Sequence, residues 1–401
     1  MKRLVLCIAM FATLQTSAAE IDLETVTLRA RKNNYTVLNN AQRLYQSKMY
    51  MMKSRTDLLP SLNLWRLLNN FAGGFQIDMV EDIAPFLIPA NWFKMKENTL
   101  LHKVEKLGYR AFVANQVMNA RSLYWKLLHD ETVIGQIDIY VKELDPLVEL
   151  VRTREDNGVI PLGTTRDLRI HQLRMKDDLH KMKLLQKNQL LNLTMALGFP
   201  SEEHHIVHQD ELGVVETIKP IDYTQAVDSV LGASPELAQF HYMLKVLPKM
   251  KGEAYFSLLG AGRASRGLPG GVFDDLPSLD TFGFSNIPVI NMIKAQKSML
   301  LLQRDGVMET LKRQWQGNYN ELEFGVLRKT DLGEQIRLNR ESKDFILRKI
   351  QMGENVNMVD LLNTSRNLVE SEIAYTALVY HLRSTLDVQE RLQFTGPYGG
   401  I

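Results

Sequence analysis

The stretch Asn157-Gly158-Val159-Ile160-Pro161-Leu162-Gly163-Thr164-Thr165-Arg166-Asp167-Leu168 has a counterpart about 200 residues on, Met352-Gly353-Glu354-Asn355-Val356-Asn357-Met358-Val359-Asp360-Leu361-Leu362. In both, a long helical pattern stops at a glycine, a short irregular segment follows, and an Asp-Leu pair opens a new helical pattern. Glycine reaches the left-handed backbone that ends a helix at little cost, so each stretch predicts a chain reversal between two helices. A chain that makes the same statement twice is a tandem repeat, and a repeated unit needs a partner to bury its faces.

Working outward from the turns, residues 90–157 read as one long helix with Tyr109, Phe112, Val117, Leu123 and Leu127 among its apolar positions. About 60 helical residues extend roughly 90 Å. Pro146 is expected to kink or interrupt this run. The returning helix covers 166–197, capped by Thr164 or Thr165, and Leu168, Met175 and Met182 recur along it every seven residues, with Leu179 and Leu193 on the adjoining seam. In the second copy, 294–351 is the long helix and 360–394 the return, where Leu361, Leu368, Tyr375 and Leu382 keep the same spacing. Gly306, Gly317, Gly325 and Gly333 weaken the second long helix by about 1 kcal/mol each.

Each long helix is preceded by a shorter helix and a strand pair. A helix over 21–55 ends at Pro60, and strands are expected at 62–68 and 75–80, where Phe75, Ile77 and Met79 alternate with polar residues. In the second copy Ser234 caps a helix with Pro235 at its first position, and strands are expected at 253–259 and 281–287 around an exposed loop at 261–280. The two shorter helices of each copy, placed end to end, match the length of its single long helix. A cylinder of even height is the expected result, with strands at one end and glycine turns at the other.

Lys2 and Arg3, the apolar run from Leu4 to Leu14 and the small residues Ser17-Ala18-Ala19 read as a secretory signal cut after Ala19. That run is too short for a membrane-spanning helix, which needs about 20 apolar residues. Cys7, the one cysteine, lies inside the signal and too early to carry a lipid, so the mature chain has no thiol. No later stretch suits a helical span, so a membrane location would require a β-barrel. The net charge of +2 in 401 residues selects no polyanionic partner.

These features resemble the TolC family of outer membrane efflux proteins over nearly the whole mature chain. The residues that carry the resemblance are Leu58-Leu59-Pro60-Ser61-Leu62, the two turn stretches, Asn367-Leu368-Val369-Glu370-Ser371-Glu372, Tyr380 and the closing Thr395-Gly396, which parallels Leu197-Gly198. The resemblance implies a mostly α fold with a small β contribution: a homotrimer whose helices form an α-barrel tunnel through the periplasm and whose four strands per chain form a 12-stranded outer membrane β-barrel. It implies a channel that conducts exported substrates, in efflux or type I secretion, from a periplasmic adaptor and an inner-membrane pump to the outside. It also implies a periplasmic constriction at Asp360 and Asn363, the latter standing where some relatives have a second Asp, and adaptor-docking turns at Asn157, Gly158, Val159, Met352, Gly353 and Glu354. The domains read as a signal at 1–19, a first repeat at 20–198, a linker at 199–221, a second repeat at 222–396 and a tail at 397–401. The alternative is a periplasmic coiled-coil scaffold of the same fold without an open channel.

Four features admit competing readings. His204, His205 and His208, beside Glu202 and Glu203, offer imidazoles to a metal, but in an irregular linker with no specified third ligand, and no metal or other cofactor is assigned. Gly260-Ala261-Gly262-Arg263 lacks the helix N-terminus that gives a phosphate loop its electrostatic basis. The basic run from Arg166 to Lys187 is interleaved with Asp167, Asp177 and Asp178, which argues for a solvated face rather than nucleic acid. Asp360 alone reads equally well as a helix N-cap. No spacing of nucleophile, base or paired carboxylates calls for catalysis, so an enzyme is not expected.

Overall fold

The computed structural model describes residues 19–60, 84–200, 205–207, 223–257, 286–352, 354 and 358–400. In chain order these form strand β1 (Ala19–Ile21), helices α1 (Leu23–Lys32) and α2 (Tyr35–Thr56), a 3-10 turn (Pro85–Leu87), α3 (Pro89–Asp156), α4 (Thr164–Ala196), strand β2 (His205–Val207), α5 (Tyr223–Ala233), α6 (Pro235–Ser257), α7 (Asn286–Gln351), α8 (Met358–Gln393) and a final 3-10 turn (Gly396–Tyr398). The strands expected at 62–68, 75–80 and 281–287, and the loop at 261–280, lie outside the described residues. None of the described helices is long and apolar enough to cross a membrane.

Two compact units divide the chain. One holds 1–34, 116–221 and 316–390, and the other holds 35–115, 222–315 and 391–401, so each draws on both halves of the sequence. The first unit has its main core where α3 presents Tyr140, Leu144, Val148 and Val151, three or four residues apart, to Leu168 of α4, Ile350 of α7 and Leu361 and Val369 of α8. This spacing puts one stripe of each helix inside. Burying a leucine such as Leu361 contributes about 1.5–3 kcal/mol. Farther along, Val133, Ile137 and Val141 pack with Leu179 of α4, and Leu322 of α7 packs with Leu378 and Leu382 of α8.

The second unit has its core between α3, α6 and α7: Val104 with Met243, Val246, Leu247, Met250 and Ala254, and with Val289, Ile290, Ile293 and Leu300. This core corrects the strand expected at 253–259. Residues 253–257 continue α6, because Ala254 is buried one helical turn beyond Met250 and Glu253 is held by Lys94 at 3.7 Å. The remaining two residues of that expected strand are outside the described set.

Three more expectations are revised. The helix expected at 21–55 is broken into α1 and α2 at Asn33-Asn34. Asn34 instead donates its side-chain amide to the carbonyl of Ala196 at 2.8 Å, tying the break to the end of α4. The linker at 199–221 contains β2, which pairs in parallel with β1, Ile21 opposite Val207. Pro146 does not interrupt α3, which runs on through it.

Candidate functional site

The two turns share one backbone hydrogen bond. Gly158 has φ +68°, the Val159 amide donates to the Arg154 carbonyl at 2.9 Å and the Gly158 amide to Glu155 at 3.0 Å. This is the Schellman arrangement, which satisfies the last carbonyls of a helix. At the second turn the Glu354 amide donates to the Lys349 carbonyl at 3.0 Å, the same bond 195 residues on (159 to 354, 154 to 349). Gly353 itself lies outside the described residues.

Two side chains that the sequence reading did not single out hold this end together. Arg154 donates to the carbonyl of Ile350 at 3.0 Å, so the end of α3 caps the end of α7. Glu155 accepts from the amides of Gly163 at 2.6 Å and Thr165 at 2.8 Å. The cap of α4 is therefore a glutamate reaching across the turn to the helix start, where its charge also meets the helix dipole. The N-cap residue is Gly163, with φ +96° and no side-chain cap, and the Thr164 hydroxyl donates backwards to Pro161, so neither threonine caps as expected. Hydrogen bonds from Thr165 first, and from the Gly163 amide, hold the Glu155 carboxyl below the usual carboxylate range.

The surface around these turns is apolar and open. Leu162 is 90 % exposed and Met352 76 %, with Val159 and Val359 also exposed. Asn157 and Glu354 are exposed beside them. Asp360 lies in the first turn of α8, two residues after Met358, and so is not its N-cap. Both Asp360 and Asn363 are exposed, while Leu361 between them is buried in the core, so the two polar residues share the outward side of the helix.

Above the turns the interior is polar as well as apolar. Tyr140 and His171 are hydrogen bonded at 3.0 Å, and burial first, then Arg366 and Arg174, lowers the imidazole pKa. Burial raises the Tyr140 phenol to about 12. Higher on α3, Arg121 grips Asp387 with two bonds of 3.0 and 2.6 Å, Trp125 donates to the same carboxylate at 2.7 Å, and Arg121 also donates to Thr27 of α1 at 3.1 Å. All of the charge in this group is buried and paired.

The basic run on α4 is compensated in part. Lys181 meets Asp177 at 2.6 Å and Asp178 at 3.4 Å, and Arg166 lies 3.7 Å from Asp167. Among the described residues no group of three His, Cys, Asp or Glu side chains is placed to hold a metal. His204 and His208 are outside the described residues, as is the Gly260–Arg263 segment.

Long antiparallel helices closed by glycine turns, with a buried interior and an exposed apolar tip, define the class: the fold of the TolC-like outer membrane channels. The chain aligns over 95 % of its length, and 92 % of the other, with a membrane protein from Pseudomonas aeruginosa at a TM-score of 0.74 and 13 % identity. It aligns over 93 % of its length, and 96 % of the other, with the outer membrane protein VceC from Vibrio cholerae at 0.69 and 12 % identity. The open state of the MtrE outer membrane channel from Neisseria gonorrhoeae gives 0.69 and 13 % identity over 92 % of this chain and 88 % of that one. These are channel or membrane proteins rather than enzymes. No family model matches the chain, and neither does any curated protein sequence.

Proposed function

We propose that this chain is an exported outer membrane channel, a passive conduit for substrates delivered from the periplasmic side. The observation that carries the reading is a fold shared over more than nine-tenths of the chain with proteins described as outer membrane channels. Three copies would close the tunnel, with four strands from each supplying a 12-stranded barrel. A periplasmic adaptor and an inner-membrane transporter are the partners this reading calls for. The exposed Val159, Leu162, Met352 and Val359 around the two turns support a docking tip there. Asp360 and Asn363 would line the constriction at that end. The chain would do no chemistry of its own, and the energy would come from the transporter.

The test is fractionation followed by conductance. The mature protein should sediment with outer membranes, light scattering in detergent should give about three chain masses, and planar bilayers should show discrete channels. A soluble periplasmic protein without conductance would overturn the channel and favour the scaffold reading.

A further inference from the structure

In the first unit α3 touches α4 and α8, and α8 touches α7. Thr132 meets Tyr380 at 3.1 Å and Gln136 donates to Thr376 at 2.9 Å between α3 and α8, while Asn339 donates to Ser371 at 3.1 Å between α7 and α8. The two remaining faces, on α4 and α7, are apolar and open: Leu173 and Leu184 on the first, Leu327 and Leu338 on the second, with Leu184 62 % and Leu327 59 % exposed.

These faces match each other. On α4 the step from Leu173 to His180 is seven residues and from His180 to Leu184 four. On α7, read backwards, Leu338 to Asp331 is seven and Asp331 to Leu327 four. Seven and four are the steps of one helical seam, and a match read in opposite directions is what an antiparallel pair requires. The contacts inside the chain also set the two seams at one level. Leu179 of α4 packs with Ile137 of α3, and its neighbour Gln136 bonds Thr376 of α8. Leu382, six residues past Thr376, lies against Gly325, so Thr376 faces the level of residue 331 on α7.

We propose that α4 of one copy packs antiparallel on α7 of a second copy of this chain, with Leu173 opposite Leu338, His180 opposite Asp331 and Leu184 opposite Leu327. Charge complementarity favours this occupant, since the polar break in one seam meets a group of suitable chemistry in the other. An imidazole N–H can donate to the Asp331 carboxylate whether or not the ring is protonated. The nearby acids already have cations on their own helices: Asp177 has Lys181, and Glu334 has Arg337 at 2.6 Å. The repeat points the same way. In sequence, α7 is the duplicate of α3 and α4 the duplicate of α8, so the junction of α3 with α8 inside one chain would recur between chains as α7 with α4. The inference rests on the assembly proposed above, and not on conductance.

The mature sequence lacks cysteine, which makes disulfide mapping direct. Full-length protein carrying Leu184→Cys and Leu327→Cys should, on oxidation in outer membranes, shift from one-chain mass to reducible covalent dimers and trimers. A disulfide forms only where Cα atoms approach within about 7 Å. Leu173→Cys with Leu338→Cys should behave alike, each single variant should stay at one-chain mass, and Leu184→Cys with Leu338→Cys, three turns out of register, should not link. An oligomer by light scattering that links in neither designed pair would overturn the interface. Linking in the out-of-register pair alone would overturn the pairing. A monomer by light scattering would instead sink the assembly reading itself.

Discussion

A Cβ atom at position 198 would lie 2.2 Å from the carbonyl oxygen of Asn33. Gly198 closes α4 with φ +66°, its amide donating to Met195 and that of Phe199 to Thr194, and the Arg29 guanidinium sits 3.5 Å above the Phe199 ring. The end of α4 and the break after α1 are therefore fitted backbone to backbone. Gly158 has almost the same φ, yet nothing lies within 4 Å of the Cβ it lacks.

The two glycines therefore separate two costs. Gly158→Ala should lose only the left-handed penalty, roughly 1–2 kcal/mol. Gly198→Ala should lose that and more, because the Asn33 carbonyl is backbone and must move with its helix. Chemical denaturation of the two variants side by side checks the ranking, and equal losses would mean the contact at Asn33 yields freely.

Glycines inside α7 divide on the same principle. A Cβ on Gly325 would meet Leu382 at 2.3 Å, and Leu382 is buried, whereas nothing lies within 4 Å at Gly317. Gly317→Ala should gain about 1 kcal/mol from helix propensity. Gly325→Ala should lose stability instead, since overpacking a buried site costs about 1–3 kcal/mol. Thermal melts of the pair should move in opposite directions.

Asp387 carries the heaviest electrostatic duty in the first unit. Asp387→Ala would leave the Arg121 guanidinium buried without its carboxylate and the Trp125 indole N–H without an acceptor. Removing one partner of a buried pair costs about 3–5 kcal/mol. Replacing Arg121 and Asp387 together with apolar residues of similar size should recover much of that loss, and a double-mutant cycle in denaturant measures how much.

Much of this was legible in the sequence. Gly158 marked its reversal because glycine is at ease at φ +68°, and the seven-residue recurrences from Leu168 and Leu361 marked the buried stripes. What escaped notice depends on partners far along the chain. The break at Asn33-Asn34 is completed by Ala196 and Leu197, and the cap of α4 comes from Glu155, eight and ten residues before the amides it binds. Residues 253–257 looked like a strand because Tyr255 and Phe256 favour one, but Met243, Leu247, Met250 and Ala254 already carried helical spacing.

Acid should loosen the first turn through Glu155. Its folded pKa is depressed, so its stabilisation is fully present above the ordinary carboxylate value and is lost as pH falls through the folded one. Glu155→Gln should melt below the wild type at neutral pH, and the gap should close as the pH is lowered through that window. A gap that persists unchanged in strong acid would show that the carboxylate charge is not what holds Gly163 and Thr165.

The proposed constriction is tested at Asp360. In an assembly of three, it would place three carboxylates around one axis at the end bearing the turns. Like charges held close repel, and a cation entering the ring relieves them. The ring should then favour cations and bind divalent ions that block current. Because Asp360 sits in the first turn of α8 and not at its cap, Asp360→Ala should cost only the dipole interaction, about 0.3–1 kcal/mol, partly offset by the helix propensity of alanine. Cation selectivity and divalent block should both weaken in single-channel recordings of that variant, and Asn363→Asp, which adds a carboxylate one turn along the same exposed side, should strengthen them. If the reversal potential under a salt gradient stays where the wild type has it in both variants, Asp360 is not at the gate.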